Sequence, residues 1–193
     1  MKKLILAGLV SLALVGCGGS DKAEQAEATS NQTEASKDLG LTPKQINDGV
    51  ETILKDAFSQ ISSDQAVKDW NTPIVVQDDM FVVNFSPALS LDGGIAKNGN
   101  VYEMKYSALA AQATPEEMMF FAFHAGALAR TLSPELDKEQ SAGEVVKLLS
   151  DVVTKASETK EVANNEVAIG KIVYKVGANP DKGILTLTVV PSE

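Results

Sequence analysis

The strand-forming runs of this chain come in consecutive groups, and that ordering limits the folds open to it more than any other feature. β-branched and aromatic residues gather in Ile74–Gln77 and Met80–Phe85, then in Ala88–Leu91 and Val101–Leu109. After the helical stretches, strand-like runs return in Glu166–Val176 and Ile184–Val190. Turn chemistry separates them: Asp78-Asp79, a stretch containing Asn98-Gly99, and Asn179-Pro180-Asp181-Lys182-Gly183. Strands that alternate singly with helices build parallel sheets, whereas strands grouped in hairpins build antiparallel ones. The expectation is therefore α+β, a largely antiparallel sheet with three helices packed on it, in the order α-β-β-β(-β)-α-α-β-β.

Two of the helices announce their starts with the same grammar. In Leu41-Thr42-Pro43-Lys44-Gln45-Ile46 the threonine caps, proline takes the first helical position and Gln45 closes a capping box. Leu41 and Ile46 are spaced as a hydrophobic staple. Apolar residues then recur at Ile46, Val50, Ile53, Leu54, Ala57, Phe58 and Ile61, predicting a helix over 43–61. Thr114-Pro115-Glu116-Glu117 repeats the device ahead of a helix over 115–132, stopped near Ser133-Pro134. A third helix, about 141–158, sets Val145, Leu148, Leu149, Val152, Val153 and Ala156 on one face.

The second helix contains the densest apolar run in the body of the chain and the only histidine. Met118–Ala129 carries no formal charge. Twelve helical residues rise about 18 Å, against a hydrocarbon core of about 30 Å, so the run does not span a bilayer. Projected at helical spacing, Ala122, Ala125, Gly126 and Ala129 form a small-residue face suited to close approach. Phe121, Leu128 and Leu132 form a bulky face beside it. His124 falls in the arc of Glu116, Glu117, Arg130 and Thr131, with Phe120, Phe123 and Ala127, and is expected at the boundary with solvent. As a catalyst or ligand it lacks company: a zinc site takes three or four ligands, and no second histidine exists.

The chain opens Met-Lys-Lys, follows with an uncharged apolar stretch over Leu4–Val15, and reaches Leu14-Val15-Gly16-Cys17. A cationic start with an apolar run too short to span is secretory signal architecture. The four residues ending in Cys17 resemble the lipobox of bacterial lipoproteins, over the first 17 residues only. The resemblance implies cleavage before Cys17, its lipidation, and anchoring of the mature chain to a membrane by at least two acyl chains, enough for stable attachment. Gly18 in place of aspartate implies, by resemblance to Gram-negative lipoproteins, the outer membrane. Cys17 is the single cysteine, so no intramolecular disulfide competes for it.

Residues 1–16 thus read as a lipoprotein signal peptide, and 17–40 as the lipidated cysteine with a disordered tether, whose only large apolar side chain is Leu39. Residues 41–193 read as one globular α+β domain, long enough for a core without metal or disulfide. The whole chain carries a net charge of −9, and losing Lys2 and Lys3 with the signal makes it more acidic still. Such a chain suits neither nucleic acid nor anionic head groups. No nucleophile elbow and no phosphate-cradling glycine loop occurs. Asp92–Glu103 has the length of a calcium loop but lacks oxygen ligands at its third and fifth places. Asp78-Asp79 reads as a solvated turn and Gly93-Gly94 as a turn or bulge.

No catalytic residue, cofactor or metal is therefore assigned, and the pattern leans away from an enzyme. The leading expectation is an envelope lipoprotein whose non-catalytic domain contacts other envelope proteins. A binder of a small apolar ligand among Met118, Met119 and the phenylalanines stays open beside it, as does an enzyme without a recognisable motif.

Overall fold

The computed structural model of the protein describes residues 37–59 and 72–192. The elements run α1 (Pro43–Ser59), β1 (Val75–Gln77), β2 (Met80–Ser86), β3 (Leu89–Ile95), β4 (Val101–Leu109), α2 (Pro115–Leu132), a π-helical turn (Glu139–Gly143), α3 (Glu144–Thr159), β5 (Ala163–Ile169), β6 (Ile172–Asn179) and β7 (Ile184–Pro191). All seven strands lie in one open sheet ordered β1-β2-β3-β4-β7-β6-β5, every neighbouring pair antiparallel. The fold is α+β, as the grouping of strands requires. α2 and α3 carry the chain from β4 at the centre to β5 at the edge, and the last strand, β7, joins the two hairpin groups by pairing with β4 and β6.

The end of the chain holds one strand more than expected. Glu166–Val176 is not a single strand: Gly170-Lys171 turn it back, with Gly170 at φ +59° and Ile169 opposite Ile172. The Asp78-Asp79 connection is the expected two-residue hairpin, with Gln77 paired to Met80. Gly99 takes a left-handed φ of +87° in its turn, within a connection spanning residues 96–100. Residues 92–103 form the arms and turn of a β-hairpin, with a register shift at Gly94. Gly93 and Gly94 are there for close approach: a Cβ on Gly93 would meet the Phe81 ring and one on Gly94 the Tyr102 ring, both well inside contact distance.

Both capping boxes form. The Gln45 amide N–H donates to Thr42 Oγ1 at 3.3 Å while the Thr42 N–H donates to Gln45 Oε1 at 2.9 Å. Glu117 and Thr114 repeat the exchange at 3.2 and 2.8 Å. Ile46, Val50 and Leu54 of α1 are buried; Ile61 and the Phe58 side chain lie outside the described residues.

One sheet face supplies the core: Phe81, Val83, Leu91, Met104, Tyr106, Tyr174, Val176, Leu187 and Val189 point inward by strand alternation and pack against the helices. α3 lies on β5 and β6, and α2 sits between α3 and α1. Two close approaches fix that middle position. A Cβ on Gly49 of α1 would stand 2.6 Å from Thr131 Cγ2, and one on Gly126 of α2 would stand 3.3 Å from Ala142 Cβ. The opposite sheet face shows polar rows to solvent, among them Asp92, Lys105, Thr188, Lys175 and Glu166 in register across five strands. Burial pushes the Asp92 carboxyl up, against the pull of Lys105 beside it.

The packed part of the chain begins before residue 41. Leu39, which composition places in the tether, is buried at 7 % exposure. Its N–H donates to the Val101 carbonyl at 2.7 Å, and the Val101 N–H donates to the Leu41 carbonyl at 2.9 Å. A single large apolar residue reaches the core here because β4 offers its backbone beside it. Among the described residues, no helix is long and apolar enough to cross a membrane.

Candidate functional site

His124 is the first residue to place, and the structure overturns its expected boundary position. It is 4 % exposed. Phe85 meets it edge-on at 4.9 Å between ring centroids, Tyr106 lies at 4.9 Å and Phe120 at 5.3 Å. Part of the arc assigned to solvent is covered: His124 meets Phe85 of β2 and Tyr106 of β4, Thr131 approaches Gly49 of α1, and Phe120 and Ala127 are buried with them, while Glu116, Phe123 and Arg130 stay exposed. Burial drives the His124 pKa down to about 3 and leaves the ring neutral. Its Nδ1 has no hydrogen-bond partner, and neither has the Tyr106 hydroxyl. Tyr106, stacked on Phe121 at 4.2 Å, has its phenol pushed well up by burial. An aromatic nest around a neutral imidazole is core, and it offers no open position to a substrate or metal. Among the described residues no group of three or more histidine, cysteine or acidic side chains is placed to hold a metal ion.

The true outer arc of α2 is narrower than the charge pattern implied, and it is partly apolar. Met119 is 54 % exposed and Phe123 40 %. They share a stripe with Gly126, whose bare Cα lets α3 close in, a Cβ there standing 3.5 Å from Val146 Cγ2. Val146 and Val153, two turns apart on α3, are exposed on the other side of the seam. Val153 is a correction: grouped with the buried face of α3, it lies outside, because the sheet takes only the narrower stripe of Val145, Leu148, Leu149, Val152 and Ala156.

Four apolar side chains thus flank the α2–α3 seam. At its far end the seam opens into a groove of about 280 Å³ whose walls include Met118, Val153, Ala156 and Leu185. Charged residues edge the strip: Glu116 and Arg130 on α2, and Lys147 with Asp151 on α3, the last two 3.6 Å apart and solvated. An apolar centre with a polar rim is the anatomy of a protein-binding patch. What the geometry can do is exclude water against a complementary surface; it brings no nucleophile and base together.

Helical spacing shows that Met119 and Phe123 share a face, but not how much of either side chain stays exposed. Asp78 and Asp79 stand in their exposed turn. Cys17, the expected lipidation site, lies outside the described residues. Compared with models of known protein families, with curated proteins and with solved structures, the chain matches none.

Proposed function

We propose that this protein is a lipid-anchored envelope lipoprotein, held at the outer membrane through Cys17, whose α+β domain is a non-catalytic module for contact with other envelope proteins. The lipobox-like Leu14–Cys17 supports the anchor. The observation that carries the interaction reading is the exposed strip of Met119, Val146 and Val153 along the α2–α3 seam. Apolar side chains gathered in one rimmed strip, as opposed to scattered singly, are the surface feature that marks interaction sites. A partner helix or loop laid along the seam would cover these three side chains and end at the groove beside Met118.

Photo-crosslinking in native membranes tests this. A crosslinking residue at Ser150, exposed between Val146 and Val153, should join the protein to one or a few envelope proteins identifiable by mass spectrometry. Met119→Asp with Val153→Asp, both at exposed positions that leave the core intact, should abolish those adducts. Adducts that persist unchanged in the double variant would show that the seam is not the contact.

A further inference from the structure

We propose that β5, an edge of the sheet, pairs with β5 of a second copy of this chain, antiparallel about a two-fold axis at Asn165, so that one sheet runs through both copies. The strip described above lies where α3 meets α2, away from this edge, and the inference does not rest on the interaction reading.

The two edges of the sheet differ. β1 offers three residues, whereas β5 runs for seven, Ala163–Ile169, and its register with β6 continues without a shift. Edge strands ordinarily discourage company with a lysine, a proline, a bulge or a cover. β5 has no lysine, proline or bulge, and its one charge, Glu166, already has Lys175 of β6 at 3.6 Å. Asn164, Asn165, Glu166 and Ala168 are exposed. The two-residue turn at Gly170-Lys171 closes on Ile169 and Ile172, the pair whose backbones bond each other across such a turn. By alternation the backbones of Ala163, Asn165 and Val167 also face β6, and those of Asn164, Glu166 and Ala168 face outward. The Glu166 N–H agrees: it donates to Asn165 Oδ1 at 3.0 Å, a side-chain substitute for a neighbouring strand.

Register points to a second copy as the occupant. Outward backbones must pair with outward backbones, which leaves a self-pairing of β5 only a few axes. An axis at Glu166 gives the fullest overlap but sets Glu166 directly against its mate, a destabilising like-charge pair. An axis at Asn164 sets Val162 against the partner's Glu166, and one at Val167 runs Asn164 into the partner's Gly170. The axis at Asn165 meets none of these conflicts. Asn164 then lies opposite the partner's Glu166, an amide beside a carboxylate on the polar sheet face. Val162, 56 % exposed, lies opposite the partner's Ala168, and Ala163 opposite the partner's Val167. Each end of the ladder brings the exposed Glu161 of one copy toward the exposed Lys171 of the other, so the charges there are opposite. α3 packs over both β5 and β6. Two strand spacings, about 10 Å, then separate it from its mate, which is helix-packing distance.

The test uses the full chain carrying Cys17→Ser, so that no native thiol is present. Analytical ultracentrifugation should show a concentration-dependent monomer–dimer equilibrium. Asn165→Cys should give a disulfide-linked dimer on mild oxidation. Its Cα and that of its mate would stand about 4.5 Å apart, as in any non-hydrogen-bonded antiparallel pair, within disulfide range. Ala168→Cys should not, because its mate lies about 20 Å further along the ladder. Asn164→Glu places a carboxylate opposite the partner's Glu166 on both sides of the axis, and should weaken dimerisation roughly tenfold. Asn164→Lys should tighten it. The position is exposed, and urea midpoints at a dilution where each variant is monomeric verify the fold. A chain that stays monomeric, or Ala168→Cys crosslinking as readily as Asn165→Cys, would overturn the proposal. So would a dimer indifferent to both Asn164 variants, which would place the contact on another surface.

Discussion

His124 gives up its solvent on folding and gains no partner for Nδ1, so a proton taken up by the unfolded chain must be expelled before the nest of Phe85, Tyr106 and Phe120 can close. The folded pKa lies near 3 against 6.5 for a free imidazole, which sets the sign. Above pH 6.5 both states are neutral and the histidine contributes no pH dependence. Below it the unfolded state is favoured by about 1.4 kcal/mol per pH unit, until the folded pKa is reached. Acidic groups also destabilise the protein as pH falls, so the informative quantity is a difference. Urea unfolding of the protein and of His124→Leu from pH 7 to pH 4 should show the variant gaining on the parent through this window. A constant difference across the range would mean that His124 is solvated. Helical phase alone put His124 in one arc with Arg130 and Thr131, whereas the structure buries His124 and leaves Arg130 exposed. Which part of that arc the sheet and α1 cover is a property of how they dock, and no spacing within α2 records it.

Docking of α1 depends on a missing side chain. Gly49 lies mid-helix, where glycine is about 1 kcal/mol worse than alanine in an isolated helix. The Thr131 methyl occupies the space its Cβ would need, and Thr131 Oγ1 is held by the Ala127 carbonyl at 2.9 Å, so the threonine cannot rotate away freely. Gly49→Ala should therefore destabilise the domain by about 1–3 kcal/mol, as overpacking does, despite the gain in propensity. Gly49→Ala combined with Thr131→Ala should recover most of the loss, a coupling that a double-mutant cycle in urea reads directly. Additive effects would place the helices further apart than this. The extra terminal hairpin, by contrast, was written in the sequence. Val167 and Ile169 are apolar at odd positions, Ile172, Tyr174 and Val176 at even ones, and the parity changes across Gly170-Lys171. A two-residue turn produces that shift, since both arms must keep their apolar side chains on one face. Read as one long run, the segment hid it.

At the scale of the molecule, the boundary between tether and domain falls earlier than composition placed it, and this can be measured. Leu39→Ala should cost about 2–4 kcal/mol, as for a buried leucine, whereas Lys37→Ala, at an exposed position, should change the urea midpoint little. Equal effects would return Leu39 to the tether. The anchor is tested separately: Cys17→Ser should abolish incorporation of radiolabelled palmitate, and equal labelling of the variant would remove the lipoprotein reading. The sequence by itself determined the α+β class, both capping boxes, the Asp78-Asp79 hairpin and the small-residue face of α2, because each depends on residues near one another in the chain. Tertiary structure alone decided that His124 is buried and that Val153 is exposed. It also brought Leu39 into the core. Each of these depends on which surfaces meet after the last strand slots in beside β4, and contacts between distant segments leave no period in the sequence to read.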